Sequence, residues 1–281
     1  MNTDFEARRS ASASLSSAGQ SKFVSAEWER ISVSTLRSQM ELLDLSFPSP
    51  AENLAGDEAL LDFFEEHGGE GVLRFWEPRN YFVVVGYANE VAKEVDVAAC
   101  EADEIPILRR CSGGGTVLQG PGCLNYSLVA PISENGSLHS IPSANRFIME
   151  RNRAALESKL KSENSEFEVA GHTDLVHGQL KFSGNAQRRK KHFLLFHGTF
   201  LLNFNIPLIE KYLRMPSKQP GYRQDRSHED FLMNLNLPGV EVKEALCEAW
   251  GATQPLESVP RDAIALLARD KYVTKEWNFK F

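Results

Sequence analysis

The sequence predicts an α+β domain in which a mixed β-sheet is flanked by helices. Two β-rich runs, Val72–Trp76 and residues 81–85, follow each other closely, and strands elsewhere also come in groups. Helical patterns, such as those at residues 57–67 and 143–160, lie beside these groups. This arrangement favours an α+β sheet over a regular β-α-β alternation. A length of 281 residues suits one large domain, alone or with a small appendage.

The first elements follow from local patterns. Residues 57–67 predict a helix, because apolar side chains recur along it and Gly68 and Gly69 provide a stop. The strands at Val72–Trp76 and residues 81–85 are split by a short polar turn, which predicts a hairpin-like pair.

The remaining elements are predicted in the same way. They are a helix at 91–103, a buried strand at 105–108, an apolar segment at 124–129, a helix at 143–160, a mixed segment at 167–180, a long strand at 192–204 and mostly helix after Pro207.

Composition excludes several classes of function. A net charge of −7 argues against general nucleic-acid binding, which requires a basic surface. No apolar run approaches the ~20 residues needed to span a bilayer. Four cysteines without a C-x-x-C pair, in a chain of this size, indicate free thiols and a reducing cytoplasm.

The N-terminus has a different composition. Residues 7–21 are mostly Ser and Ala with Arg8 and Arg9, which resembles an organelle transit peptide, but Asp4 and Glu6 count against that reading. We therefore expect a disordered tail over residues 1–25 and the folded domain over residues 26–281, with the targeting alternative left open.

A glycine-rich segment after the predicted strand at 105–108 is the strongest candidate ligand loop. Arg110 supplies a planar donor group, Ser112 a hydroxyl, and Gly113 to Gly115 allow close approach of the backbone to an anion. No Lys-Ser/Thr pair follows, so this is not a phosphate loop of the Walker type, and the spacing does not fit a dinucleotide fingerprint. A flexible surface turn is the alternative.

Two further residues stand out downstream. Lys181 lies among small and apolar neighbours, where an ammonium group is suited to an acyl phosphate. His197 precedes Gly198 inside an apolar strand, which allows close backbone approach. An ordinary surface lysine and a buried core histidine are the alternatives.

Four segments in order resemble the lipoate-protein ligase family. They are R-R-C-S-G-G-G-T-V at 109–117, T-D-L at 173–175, K-F-S-G-N-A-Q-R-R at 181–189 and H-G-T-F-L-L-N at 197–203. The likeness extends over about residues 51–281 and implies a catalytic domain of the biotin/lipoate ligase type. The family belongs to a wider group with biotin-protein ligases and octanoyltransferases. Biotin ligases have a different arginine-glycine loop, which sets that branch aside.

The resemblance implies roles for these residues. Lys181 would be catalytic and bind the activated carbonyl and phosphate oxygens, Arg110 would contact the nucleotide or phosphate, and Asp174 would lie on the nucleotide side. The other implied binding residues are Ser112, Gly113, Gly114, Gly115, Thr116, Val117, Leu118, Ser183, Gly184 and His197. ATP with Mg²⁺ would be the co-substrate, without a dedicated protein metal site.

The implied reaction activates lipoate or octanoate as an acyl adenylate and transfers it to a lysine of a lipoyl carrier domain. The carrier would be an acyl domain of a 2-oxo acid dehydrogenase or the glycine-cleavage H protein. K-Y-V-T-K-E-W-N-F near the end resembles the close of the catalytic domain, so we expect no C-terminal accessory domain and a possible separate small accessory protein. The residues do not distinguish lipoate from octanoate.

Departures from the family pattern leave alternatives open. Gln119 stands where many relatives have His, so protonation there is excluded. Octanoyltransferases use a cysteine, yet neither 170–174 nor 205–207 holds one, which favours the adenylate route. The rival is an acyltransferase that takes the acyl group from an acyl-carrier thioester and uses Cys111 or Cys123. The third alternative is a non-catalytic module that binds lipoyl domains.

A basic run follows the lysine motif. Arg188 to Lys191 are four consecutive basic residues in an acidic chain, and we expect them at a hairpin tip. Lipoyl domains are generally acidic, so this tip would steer them electrostatically. An ordinary solvated turn is the alternative.

Overall fold

Two sheets form the framework of the domain in a computed structural model, which describes residues 39–160, 166–216 and 218–281. The predicted N-terminal tail lies outside these residues. The strands are β1 (Glu41–Asp44), β2 (Val72–Trp76), β3 (Phe82–Val85), β4 (Ile107–Arg109), β5 (Val117–Gln119), β6 (Cys123–Pro131), β7 (Phe167–Ala170), β8 (Asp174–His177), β9 (Leu180–Arg189), β10 (Phe193–Leu201) and β11 (Gln254–Pro255).

The larger sheet has eight strands in the order β11-β1-β2-β6-β10-β9-β8-β7, and the smaller one has three in the order β4-β3-β5. β1 pairs in parallel with β11 and with β2, and the remaining pairs of the larger sheet are antiparallel. β3 pairs in parallel with β4 and antiparallel with β5. Each sheet therefore contains both parallel and antiparallel pairs, and the α+β prediction is confirmed.

Helices lie between and after the strands. They are α1 (Pro50–His67), α2 (Val91–Glu94), α3 (Val97–Ala102), α4 (Ile141–Leu160), α5 (Pro207–Tyr212), α6 (His228–Phe231), α7 (Gly239–Trp250), α8 (Arg261–Leu267) and α9 (Lys275–Asn278), with a 3₁₀ turn at Gly221–Arg223 and a π-helical turn at Ala268–Tyr272. No helix in the described ranges is long and apolar enough to cross a membrane.

The first helix begins earlier than its apolar pattern predicts. Ser49 caps the helix by accepting from the backbone N–H of Glu52, and Glu52 accepts from the backbone N–H of Ser49 in return. Pro50 suits the first turn, where its missing N–H costs nothing. This capping box starts α1 seven residues before Asp57, the predicted start.

The hairpin predicted from Val72–Trp76 and residues 81–85 is wrong. β2 lies between β1 and β6 in the larger sheet, whereas β3 is the central strand of the smaller sheet. All five residues of β2 are buried. Arg74 ties β2 to α1 through a buried salt bridge with Asp57. Strands buried on both faces carry no alternation of apolar and polar residues. The two runs therefore contain no signal for which strands pair, and closeness along the chain was a misleading guide.

The predicted helix at 91–103 is likewise two short helices, α2 and α3. They are separated by Val95 and Asp96, and the side chain of Asp96 accepts from Ala99 N to cap the second one.

Each face of the larger sheet is covered by different elements. α4 and α7 pack on one face, where Ile148 and Leu246 join strand residues such as Phe196 in the largest apolar cluster. α1 packs on the other face, where Leu60 contacts the cluster that includes Leu195. Polar residues of the second face provide the floor of the candidate site.

Candidate active site

A β-bulge brings Lys181 to the site. Two consecutive residues of β8, Leu175 and Val176, pair with Ser183 and Lys181, so Phe182 is an extra residue in β9. A bulge places two successive side chains on one face of a sheet. Phe182 accordingly packs in the core with α4 and α7, and Lys181 returns to the opposite face.

Lys181 is held in place by an acidic neighbour. Its Nζ lies 2.8 Å from Oδ1 of Asp174. The other carboxylate oxygen of Asp174 accepts a 2.7 Å hydrogen bond from Tyr222. Burial and the Asp174 carboxylate raise the pKa of Tyr222, so this phenol remains a donor. Asp174 was predicted on the nucleotide side, and in this structure it orients the ammonium group.

Gly184 makes room for the lysine tip. A Cβ at Gly184 would lie 2.8 Å from Lys181 Nζ and 2.9 Å from its Cε, closer than a real Cβ approaches another atom. Ser183, a predicted binding residue, is buried and pairs with Phe200 on the core side of the sheet. The structure therefore brings Gly184 and Lys181 together but turns Ser183 away.

Arg110 shapes the glycine loop from inside. Its Nη2 donates to the carbonyl oxygens of Gly113 and Gly115 at 2.5 and 2.7 Å. Gly114, at a φ of 88°, adopts a conformation that favours glycine. Burial lowers the pKa of Arg110 to about 10, and the group remains charged near neutral pH. A phosphate contact by Arg110 stays a prediction, since these bonds are internal to the loop.

The rest of the loop runs into the smaller sheet. Thr116 Oγ1 accepts from the side-chain amide of Asn89 at 3.3 Å. Val117 is exposed, whereas Leu118 is buried in the apolar cluster that includes Val83 and Val85. Ligand contacts of Thr116, Val117 and Leu118 stay predictions, and Leu118 also has a core position.

A chain of buried polar groups connects the glycine loop with α1. Ser112 Oγ lies 2.5 Å from Nε2 of His197 on β10. His197 Nδ1 lies 2.9 Å from Oδ2 of Asp57. Asp57 Oδ1 accepts from Arg74 Nη1 at 2.6 Å. Of the two predictions for His197, the structure shows a buried histidine that is also bonded to a loop residue. A direct ligand contact stays untested.

A second polar group lies beside His197. Gln119 Nε2 donates to Thr199 Oγ1 at 2.7 Å, Thr199 donates to Asn125 Oδ1 at 2.5 Å, and Asn125 Nδ2 donates to Gln119 Oε1 at 2.9 Å. The three side chains form a closed ring of hydrogen bonds. Gln119 therefore has a structural role in this ring. That role requires a hydrogen-bond donor and an acceptor, and a glutamine amide supplies both without a titratable proton.

Sequence reasoning missed several residues of the site. Asp57, Arg74, Tyr222, Asn125 and Thr199 all bond with predicted residues or extend their networks. Two signals were available: Asp57 lies in N-L-A-G-D-E at 53–58, within the residues over which the resemblance extends, and Thr199 lies in H-G-T-F-L-L-N. No pattern marks Arg74 or Tyr222.

The basic run spans the turn between β9 and β10, as expected for a hairpin tip. Arg188 donates to the carbonyl of Cys111 at 2.8 Å, Arg189 donates to the carbonyl of Leu138, and Lys190 pairs with Asp62 at 2.5 Å. Three of these four side chains thus contact the chain itself. Carrier steering by the run stays a prediction.

Cys111 and Cys123 are free thiols, each 2% exposed. Burial raises the pKa of each to about 12. The thiolate is the nucleophilic form of cysteine, and both thiols are therefore almost entirely protonated near neutral pH.

Curated relatives carry two kinds of name. The octanoyltransferase LipM of Geobacillus kaustophilus is 28% identical over 275 residues, which cover 85% of this chain and 97% of that protein. A probable lipoate-protein ligase A of Mycoplasma genitalium is 26% identical over 245 residues, which cover 82% of this chain and 69% of that protein.

Solved structures share the fold. A bipartite lipoate protein ligase of Thermoplasma acidophilum, studied with its E2 lipoyl domain, superposes with a TM-score of 0.73 at 24% identity, covering 86% of this chain and 96% of that one. A lipoate-protein ligase A bound with ATP gives a TM-score of 0.72 at 24% identity, covering 86% and 98%. At these identities the likeness establishes the fold.

The family follows from the longest match. Residues 49–246, which include α1, the glycine loop, Lys181 and His197, match the model of the lipoyl protein ligase A/B catalytic domain. Members that the chain resembles include both ligases and octanoyltransferases, which are enzymes. The protein is therefore a member of the lipoyl protein ligase A/B catalytic domain family.

Proposed function

We propose that this enzyme activates lipoate or octanoate with ATP as an acyl adenylate and transfers the acyl group to a lysine of a lipoyl carrier domain. One observation carries the proposal: Lys181 is held by Asp174 on the same face of the sheet as the glycine loop. The ATP-bound ligase and the ligase studied with its lipoyl domain support this choice of co-substrate and partner.

The positions along β9 give the scale of the site. The Lys181 ammonium lies above Gly184, and Gly114 of the loop lies near Ala186, since a Cβ at Gly114 would be 3.5 Å from the Ala186 Cβ. Residues two apart on a strand share a face and are roughly 7 Å apart. That separation suits an acyl phosphate that contacts Lys181 at its carbonyl and the loop along its length.

Lys181 would serve both chemical steps. Adenylation develops negative charge on the α-phosphate, and transfer develops an oxyanion at the carbonyl carbon. A preorganised ammonium stabilises both. Mg²⁺ would arrive with the phosphates of ATP, because it commonly binds through substrate phosphates with few protein ligands; no group of three or more metal-binding side chains occurs in the described ranges.

Transfer from an acyl-carrier thioester is the second candidate, favoured by the LipM relative that the chain matches over nearly all of its length. That route would need a thiolate at Cys111 or Cys123. Burial opposes it, because it raises the pKa of both thiols to about 12. The adenylate route needs no cysteine and is the better supported.

The test is intact-mass analysis of carrier domains after incubation with enzyme and one donor at a time. The donors are lipoate with ATP, octanoate with ATP, and octanoyl acyl-carrier protein. Lys181→Ala should slow ligation from free acid by about 10²–10³-fold. Lys93→Ala, at a lysine of α2 whose side chain is 60% exposed, is the matched control and should act like the wild type.

Two outcomes would contradict the proposal. One is near wild-type ligation by a folded Lys181→Ala variant. The other is acyl transfer from the carrier-protein thioester alone, lost after alkylation of Cys111 or Cys123, which would establish the second candidate.

A further inference from the structure

The buried chain from Asp57 to Ser112 has a defined hydrogen-bond polarity. Asp57 is ionised and acts only as an acceptor, so the 2.9 Å contact places a proton on His197 Nδ1. In neutral imidazole Nε2 is then an acceptor. At 2.5 Å from it, the Ser112 hydroxyl donates its proton to His197.

Ser112 has one acceptor position left. A serine hydroxyl has one proton and two lone pairs. The proton points to His197, and one lone pair accepts from Arg110 Nε at 3.1 Å. Among the described residues no second donor reaches this hydroxyl, which is 1% exposed, so its other lone pair is left for a group bound beside the glycine loop.

The position of this hydroxyl relates it to Lys181. His197 pairs with Ala186, whereas Lys181 reaches over Gly184 two residues away on the same face of β9. A group bound between them would meet an ammonium at one end and a hydroxyl backed by an imidazole and a carboxylate at the other. A nucleophile, a base within hydrogen-bond reach and a group that orients the base form a proton-transfer arrangement.

We propose that Ser112, His197 and Asp57 form a proton relay that accepts the proton of the carrier lysine when its amine attacks the activated carbonyl. This proposal rests on the proposed ligase function and adds a general base to it. Ser112 is the residue that contacts the substrate amine. His197 and Asp57 are positioning residues that act through it.

The step balances without a further reactant. The neutral amine of the carrier lysine attacks the carbonyl carbon, a C–N bond forms, and the C–O bond to the adenylate phosphate breaks, so AMP leaves as an anion. The nitrogen proton moves to Ser112 Oγ while the hydroxyl proton moves to His197 Nε2. The resulting imidazolium is stabilised by Asp57 and returns its proton to solvent after the product leaves.

The charged groups around His197 come from three elements. Asp57 lies on α1, Arg74 on β2 and Arg110 in the glycine loop.

The experiment measures single-turnover transfer from preformed lipoyl adenylate to a lipoyl carrier, at saturating adenylate and over a range of pH. Ser112→Ala should slow transfer by about 10²–10⁴-fold, the usual contribution of a general base. The deficit should shrink at high pH, where solvent accepts the proton instead. Ser112→Thr keeps a hydroxyl and should restore part of the rate, and Ser158→Ala, an exposed change on α4, is the matched control.

The outcomes separate the relay from the ligase function. A wild-type enzyme that cannot use the adenylate would refute the proposed function. A wild-type enzyme that does use it, together with a folded Ser112→Ala variant whose deficit is the same at every pH, would overturn the relay alone. An acyl group found on Ser112 without carrier would also overturn it, in favour of a covalent intermediate.

Discussion

At the residue scale, Asp57 is a buried carboxylate of the site with a partner on each oxygen. It is 2% exposed and accepts from both Arg74 and His197. Burial alone would raise the pKa of Asp57, but the hydrogen bond from His197 and the charge of Arg74 together lower it. Each carboxylate oxygen has its own cationic or N–H partner, so Asp57 connects α1 with β2 and β10.

The lowered pKa of Asp57 predicts how stability depends on pH. A carboxylate with a depressed folded-state pKa contributes stability above its unfolded pKa of about 3.9, and this contribution disappears as pH falls through the folded pKa. Asp57→Asn should lower the free energy of unfolding by about 3–5 kcal/mol near neutral pH, and by less below about pH 4.

Urea denaturation across this pH range measures the difference between wild type and variant. Asp270→Asn, which changes an exposed partner of Arg269, is the control and should leave stability unchanged at every pH. An Asp57→Asn deficit that stays constant down to acid pH would contradict the role assigned to the ionised carboxylate.

At the element scale, the irregular register of β9 decides what the site contains. Without the extra residue Phe182, Lys181 and Gly184 would face opposite sides of the sheet, because side chains alternate along a strand. The bulge reverses this alternation at one point. As a result, Phe182 packs in the core and Lys181, the preceding residue of the same strand, faces the site.

Gly184→Ala tests this arrangement. The new Cβ would displace the Lys181 tip, which is the flexible end of a side chain, so the fold should tolerate the change. Misplacement of a catalytic group by about 1 Å costs about 10²-fold in rate. We expect a loss of ligation of this order with little change in the unfolding midpoint.

The matched control is Gly239→Ala at the start of α7, where the added Cβ makes only an ordinary contact with Leu202. It should preserve both rate and stability. Wild-type ligation by Gly184→Ala would mean that the orientation of Lys181 over Gly184 is unnecessary.

At the scale of the whole molecule, Arg109 ties the smaller sheet to the C-terminal segment. Its guanidinium donates to the carbonyls of Gly86, Tyr87 and Asn89 in one segment and to those of Trp277 and Asn278 in the other. The glycine loop begins one residue later. The C-terminal residues therefore support the base of that loop.

Arg109→Lys should destabilise the protein by about 3 kcal/mol or more, because a lysine has three donors for five carbonyls and a buried acceptor without its partner is costly. Chemical denaturation measures this change. Arg269→Lys, an exposed substitution on the π-helical turn, is the control and should have no comparable effect. Equal stability of the two variants would show that the Arg109 contacts contribute little.

Residue type and local spacing predicted part of the candidate site from the sequence alone. The glycine run, Lys181 and His197 stood out because each is an unusual residue for its apolar surroundings. Their partners did not: Asp57 lies 140 residues from His197, and Tyr222 lies 48 residues from Asp174. Nothing in either segment indicates such a contact, since it depends on which strands are neighbours.

The sequence by itself determined the α+β class and the family likeness, and it identified Lys181 and the glycine loop as candidates, because these depend on residue type and short spacing. Only the tertiary structure decided that β2 and β3 belong to different sheets. It also decided that Ser183 faces the core while Lys181 faces the site, and that Ser112 meets His197 and Asp57. The physical reason is strand register: one extra residue in β9 exchanges the two faces of the strand, and no local preference of the chain encodes that choice.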